Sequence, residues 1–146
     1  MYKHILVPTD GSELSMKAAR AAARLAAKLG ARVTSLYVIR PYKVPADGES
    51  FMFTSAYPVE RYARDMKRIA DAALARVSKA AGKVSCDGAT VLAEHPWEAI
   101  IKTASSKKCD LIVMASHGRK GLEALLLGSE TQKVLTHSKT PVLVCR

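Results

Sequence analysis

The chain has 146 residues, 49% of them apolar and 25% charged, a composition that is ordinary for a globular domain and excludes disordered and fibrous classes. Its formal net charge of +10 favours anionic ligands or partners. The length predicts one domain over residues 1–146. The longest uninterrupted apolar run, at 111–115, is far shorter than the roughly 18 residues of a membrane span, so we predict no membrane partner.

Strands and helices alternate along the whole chain. In chain order the patterns predict a strand first and then helices and strands in turn, at residues 4–7, 13–29, 33–39, 59–80, 84–93, 96–108, 111–115, 130–137 and 141–145. Ser12 is the expected N-cap of the first helix, and Gly30 its C′ residue. The segment 42–57 has no period and predicts a long loop. Five strands that alternate with four helices predict a doubly wound α/β fold.

The three cysteines, Cys86, Cys109 and Cys145, are odd in number and form no Cys-x-x-Cys pair. This spacing disfavours both disulfide frameworks and metal sites, and it fits a reducing compartment. The first ten residues lack a charged leader followed by a long apolar segment. We therefore expect a cytoplasmic protein.

Several catalytic signatures are missing from the sequence. It contains neither a Gly-x4-Gly-Lys-Ser/Thr phosphate loop nor a Gly-x-Gly-x-x-Gly fingerprint, and its four histidines lack the i, i+4 pairing of a zinc helix. Ser116 and His117 are neighbours whose side chains we expect to point apart, as in an extended segment. The residues therefore predict no catalytic site and no metal site made of side chains.

The start of the last helix is the candidate anion site. Ligands of open α/β sheets bind at the carboxyl ends of the strands, and Gly128 and Ser129 precede the predicted helix there. Free N–H groups at a helix start hold anions, and the hydroxyls of Ser129 and Thr131 would lie beside a phosphate. We expect the Glu130 N–H to point inward and its side chain to point outward. An ordinary N-cap is the alternative interpretation of this Gly-Ser pair.

Gly118 and Arg119 follow the fourth predicted strand and lie in the other loop of this region. A glycine at position 118 lets the backbone approach the same anion closely. The guanidinium of Arg119 offers several donors for a second phosphate oxygen.

Five segments resemble the universal stress protein family, in the expected order and over essentially the whole chain. They are V-P-T-D-G-S at 7–12, L-Y-V-I at 36–39, D-L-I-V-M-A-S-H-G-R at 110–119, L-L-L-G-S at 125–129 and T-P-V-L-V at 140–144. The resemblance implies a Rossmann-like fold of the adenine nucleotide alpha hydrolase type, with strand order 3-2-1-4-5.

ATP-binding members of that family carry a glycine, two residues, a second glycine, nine residues, and then Gly-Ser or Gly-Thr. Here Gly118 is the second glycine and Gly128-Ser129 ends the pattern, but Ala115 replaces the first glycine. If the methyl group forces strain, it costs about 1–3 kcal/mol and weakens binding about tenfold or more. If position 115 has ordinary strand geometry, the alanine costs little.

The resemblance also implies which residues surround a nucleotide. Asp10 and the backbone around Val38 would flank the adenine, Pro8 and Thr9 would line its pocket, and Met114 and Ala115 would lie against the ribose. For Asp10 a turn or cap role is an equally good interpretation, because one carboxylate can serve both purposes.

The expected function is binding of ATP, ADP or AMP as a stress-response sensor, with Mg or Mn held by the phosphates. Any hydrolysis of bound ATP is expected to be weak, because no general base is evident. The resemblance further implies a homodimer formed through the strand at 141–145. The alternatives are a nucleotide-free dimeric interaction protein, which Ala115 favours, and nucleic-acid binding, which the 5% aromatic content disfavours.

Overall fold

Strand and helix alternate in the computed structural model, which describes residues 1–43, 59–118 and 126–146. The elements are β1 (His4–Pro8), α1 (Glu13–Leu29), β2 (Arg32–Ile39), α2 (Val59–Ala81), β3 (Cys86–Leu92), α3 (Pro96–Ser106), β4 (Leu111–Ala115), α4 (Ser129–His137) and β5 (Val142–Cys145). All nine predicted elements are present, with ends within two residues of the prediction. Most of the predicted loop at 42–57, and Arg119, lie outside the described residues.

The five strands form one parallel sheet in the order β3-β2-β1-β4-β5, which confirms the predicted topology. From β1 the chain builds outward through β2 to β3, then crosses back and builds through β4 to β5 on the other side. The direction of winding therefore switches between β1 and β4. In such sheets a crevice opens outside the carboxyl ends of the two strands at the switch.

Helices cover both faces of the sheet, and successive side chains of each strand enter opposite cores. Ile5 and Val7 of β1 face α1 and α2, whereas Leu6 faces α3 and α4. All five residues of β4 are buried, as expected of a central strand covered on both sides. Within the described ranges, no helix is both long enough and apolar enough to cross a bilayer.

The hand-over from β1 to α1 follows the predicted cap chemistry. The Ser12 hydroxyl accepts a hydrogen bond from the Ser15 N–H at 3.2 Å, and Gly30 ends the helix in the left-handed conformation with φ 64°. Ser12 fixes where α1 begins and therefore how the turn at residues 9–12 leaves β1, and Gly30 fixes where the helix ends.

Candidate functional site

The candidate site lies at the carboxyl ends of β1 and β4, where the winding of the sheet switches direction. Three segments meet there: residues 9–12 after β1, residues 116–118 after β4, and the first turn of α4. We name this place the switch-point crevice.

Thr9 builds the turn at residues 9–12 from the inside. Its hydroxyl lies 2.9 Å from the Ser15 hydroxyl and accepts a hydrogen bond from the Gly11 N–H, and Gly11 has a φ of 79°. The side chain is only 6% exposed. Thr9 therefore shapes the turn with its side chain, and its place in the lining of an adenine pocket stays a prediction.

Asp10 and Gly118 come together, as the candidate site requires. Asp10 Oδ1 accepts a hydrogen bond from the Ser12 N–H at 2.9 Å, which is the turn role considered from the sequence. A Cβ atom built onto Gly118 would lie 2.8 Å from Asp10 Oδ2. Since Gly118 does not have a positive φ, the glycine is needed for space and not for backbone conformation.

Gly128 is the second close contact of the crevice. A Cβ atom on it would lie 3.0 Å from His117 Cα, so with any other residue the start of α4 or residues 116–118 would have to move by a few tenths of an ångström. Its own N–H donates to the Ser116 carbonyl oxygen at 2.7 Å. The Gly128 N–H is therefore occupied by protein, and the expectation that it would help to hold an anion needs correction.

The first turn of α4 supplies the N–H groups instead. The helix begins at Ser129, one residue earlier than predicted, and its first internal hydrogen bond runs from the Gln132 N–H to the Gly128 carbonyl oxygen at 2.9 Å. The N–H groups of Ser129, Glu130 and Thr131 thus have no acceptor inside the helix. Together with the helix dipole they form a place that favours an anion.

Thr131 has a role that the sequence did not reveal. Its hydroxyl donates to the Ala115 carbonyl oxygen at 2.9 Å, and the side chain is 3% exposed. A hydroxyl has a single hydrogen to donate, so this one is not available for a phosphate, contrary to expectation. The bond ties the first turn of α4 to the end of β4.

The Glu130 side chain turns away from the first turn of α4 and toward α3. Its carboxylate is half-buried and does not point freely into solvent: Oε2 accepts a hydrogen bond from the Trp97 N–H at 2.8 Å, and Oε1 lies 3.9 Å from the Arg40 guanidinium. Spacing along the sequence could not indicate these partners, because they are far away in the chain. The side chain joins the start of α4 to the start of α3.

The residues predicted near adenine and ribose occupy the strand ends. Pro8 ends β1, and the half-buried Val38 pairs with Val91 of β3. Met114 is 6% exposed and packs in the core beside α3 and α4, so its side chain faces the protein interior. Ala115 belongs to β4 and does not have a positive φ, so the alanine costs no backbone strain.

Ser116 and His117 lie closer together than expected. Ser116 Oγ is 3.2 Å from His117 Nδ1, because the chain bends after β4 and does not continue as an extended strand. Ser116 is only 5% exposed. The described residues also contain no group of three His, Cys, Asp or Glu side chains that could hold a metal ion.

Comparison with known proteins gives one consistent family. The model of the universal stress protein family matches residues 1–146. A universal stress protein of Thermus aquaticus is 36% identical over 148 residues and covers both chains completely. Universal stress protein MJ0531 of Methanocaldococcus jannaschii is 35% identical over 150 residues, which cover all of this chain and 83% of that protein.

Two solved structures share the fold over nearly their whole length. Protein MJ0577 superposes with a TM-score of 0.80 at 29% identity, covering 99% of this chain and 96% of that one. A universal stress protein in complex with cAMP superposes with a TM-score of 0.66 at 28% identity, covering 98% and 95%. The chain belongs to the universal stress protein family.

Proposed function

We propose that this protein binds an adenine nucleotide, ATP or a close relative, in the switch-point crevice and acts as a sensor through occupancy of that site. The observation that carries the proposal is the convergence at Gly118 and Gly128, where two loops and the start of α4 approach within atomic contact. Such a convergence at the carboxyl edge of a doubly wound sheet is typical of a nucleotide site.

The phosphates are assigned to the first turn of α4. The N–H groups of residues 129–131 have no acceptor inside the helix, and the formal net charge of +10 favours an anion. In this proposal the phosphates hold any Mg or Mn ion themselves. Asp10 and the backbone around Val38 are the residues assigned to the adenine.

A relative supports the choice of ligand. The universal stress protein that was solved with cAMP has this fold at 28% identity. Cyclic AMP contains the adenine, the ribose and one phosphate that ATP also contains. The proposal transfers this ligand class to the present chain.

Ala115 gives the nucleotide-free alternative less support than strain at this position would. The alanine departs from the family glycine pattern, but it has the ordinary geometry of a strand residue. We further propose that the protein is not a dedicated catalyst and that any ATP turnover is slow. A change in partner affinity on nucleotide binding would then carry the signal.

The cysteines support a cytoplasmic location. Cys86, Cys109 and Cys145 are free thiols. Burial raises the pKa of Cys109 to about 11, and burial also raises the pKa of Cys86 and Cys145. The raised pKa keeps these thiols protonated and unreactive, and free thiols are usual in a reducing compartment.

Calorimetric titration with ATP, ADP and AMP tests the proposal. The unchanged protein should release or take up heat with at least one of them. In Gly128→Ala the new methyl group would meet the His117 backbone, so the start of α4 must shift and binding should weaken at least about tenfold, or about 1.4 kcal/mol.

Gly88→Ala is the matched control for that titration. A Cβ atom at position 88 makes only an ordinary contact with Leu74, 3.4 Å away, and it lies on β3 outside the crevice. This variant should bind like the unchanged protein. No heat with any of the three nucleotides, or equal affinity in Gly128→Ala, would contradict the proposal and favour a nucleotide-free interaction protein.

A further inference from the structure

Two helices begin side by side at the switch-point crevice, and their first turns are satisfied differently. In α3, Pro96 has no N–H, the N–H groups of Glu98 and Ala99 both donate to the His95 carbonyl oxygen, and the His95 side chain makes no capping bond. This leaves the Trp97 N–H as the donor of the first turn that lacks an acceptor inside the helix. Glu130 supplies that acceptor from α4.

We propose that Glu130 is the positioning residue of the nucleotide site: its carboxylate occupies the N-terminus of α3 and thereby fixes the first turn of α4 for phosphate. This inference rests on the proposed function. It assigns two tasks to one residue, because the Glu130 N–H belongs to the turn assigned to the phosphates while the side chain holds the neighbouring helix.

The charge of Glu130 is the first part of the argument. A carboxylate in the first turn of α4 would repel a phosphate or occupy the same N–H groups in its place. Here the carboxylate is stabilised elsewhere, by the Trp97 N–H at 2.8 Å, by the dipole of α3 and by Arg40 at 3.9 Å. The internal anion therefore takes one helix start and leaves the other to an external anion.

The rigidity of α4 is the second part. Its first turn is held on one side by the Thr131 hydroxyl on the Ala115 carbonyl and on the other by Glu130 on α3. Farther along, His137 of α4 packs on Trp97, with ring centroids 4.7 Å apart. Preorganised donors bind a ligand more tightly than donors that must first be ordered, so losing the Glu130 contact should weaken nucleotide binding.

Trp97 provides a reporter at this contact, because it is the only tryptophan of the chain. Its N–H bonds to Glu130 and its ring contacts His137 of α4. Binding of phosphate to the first turn of α4 should therefore change the Trp97 emission when the contact is intact.

The test compares Glu130→Gln with Glu130→Ala by ATP titration, following both heat and Trp97 emission. The amide oxygen of glutamine can still accept from the Trp97 N–H but carries no charge, so ATP should bind about twofold to fivefold more tightly than to the unchanged protein. Alanine removes acceptor and charge together, and ATP should bind about threefold to tenfold more weakly. Glu98→Ala is the control, because it removes an exposed carboxylate from the first turn of α3 and leaves Glu130 in place.

Opposite effects of glutamine and alanine, with an ATP-dependent emission change in Glu130→Gln that is lost in Glu130→Ala, would support the inference. Equal or tighter binding by Glu130→Ala, with only its melting temperature lowered, would overturn it and leave the nucleotide site itself standing. If Glu130→Ala does not fold, Glu130→Gln still decides, since weaker ATP binding by that variant contradicts the charge argument. Absence of ATP binding by the unchanged protein would overturn the proposed function, and this inference with it.

Discussion

Gly118 and Gly128 shape the crevice at the scale of single residues, and both do so by the absence of a side chain. Neither has a positive φ. A Cβ atom on Gly118 would lie too near Asp10 Oδ2, and one on Gly128 would make a tight contact with His117 Cα. The family pattern located these glycines in the sequence. The atoms that they approach could not be predicted, because they belong to loops that only the sheet topology brings together.

His4 is a buried titratable side chain at the amino end of β1, the central strand of the sheet. It is 4% exposed, its Nε2 lies 2.8 Å from the Thr34 hydroxyl, and its Nδ1 is buried without a hydrogen-bond partner in the described part of the chain. Burial lowers the pKa of His4, and the positive charge of Arg32 lowers it further. The Lys107 backbone and the Asp110 carboxylate act in the opposite sense and raise the pKa of His4, whereas the Lys107 charge lowers it.

The stability of the protein should therefore fall on mild acidification. In the folded state His4 takes up its proton only below the usual pKa of about 6.5, whereas the unfolded chain takes it up at that value. The unfolded state binds more protons in this window, so the free energy of unfolding falls as the pH drops from about 7 to about 5. Urea unfolding at several pH values measures this dependence of the free energy of unfolding on pH.

Two variants isolate the contribution of His4. His4→Gln should flatten the pH dependence in this range, and Gly88→Ala, which changes no titratable group, should leave it unchanged. Titration of Asp110 does not contribute to the pH dependence in this range. Burial opposes ionisation of its carboxyl, but the N–H groups of His4 and Lys3 hold its pKa below the usual value, so it acts only below about pH 4. A flat profile for the unchanged protein would contradict this explanation.

At the scale of elements, periodicity and capping residues predicted the helix and strand boundaries that depend on local sequence. The α1 boundaries agree with the sequence because Ser12 and Gly30 determine them within the segment. The start of β3 and the end of α3 each differ by two residues from the sequence prediction, and the backbone explains both differences. The Val84 N–H bonds back to Ala81 and delays β3, and Lys108 adopts a φ of 54°, which stops α3 before the two lysines.

The contacts of α4 were beyond prediction for a related reason. The sequence indicated hydroxyls and a carboxylate at the start of the helix but not their partners. Thr131 bonds to Ala115 and Glu130 to Trp97, and both partners come from other elements. Local patterns predict that a polar group exists, whereas packing decides whether it faces a ligand or another element.

The edge strand β5 yields a prediction about assembly. Leu143 is 43% exposed on this strand, which pairs with β4 on one side, and an apolar edge favours pairing with a second copy. We therefore expect a homodimer formed through residues 141–145, with twice the monomer mass in light scattering. Leu143→Asp should reduce this mass to that of the monomer.

Leu92→Asp is the matched control for the dimer, since Leu92 is 67% exposed at the end of β3, on the opposite edge of the sheet. It should leave the dimer intact. A monomeric unchanged protein would contradict the assignment, as would a dimer that dissociates only in Leu92→Asp.

At the scale of the whole molecule, the positive charge is unevenly neutralised. Four basic residues of α2 pair with acids, namely Arg61, Lys67, Arg68 and Arg76. On α1, the described residues place no carboxylate within salt-bridge distance of Lys17, Arg20, Arg24 and Lys28. A shallow, open depression between α1 and α2 is lined by Arg20 and Arg24 among others. A nucleotide attracted by charge alone would therefore collect at α1, away from the switch-point crevice.

Amide proton–nitrogen correlation spectra, recorded during titration with ATP, distinguish these two places directly. The largest shifts are predicted for the N–H groups of Gly118 and of Ser129, Glu130 and Thr131, because the phosphates are assigned to the first turn of α4. No shifts at millimolar ATP, or shifts centred on Arg20 and Arg24, would contradict the nucleotide site.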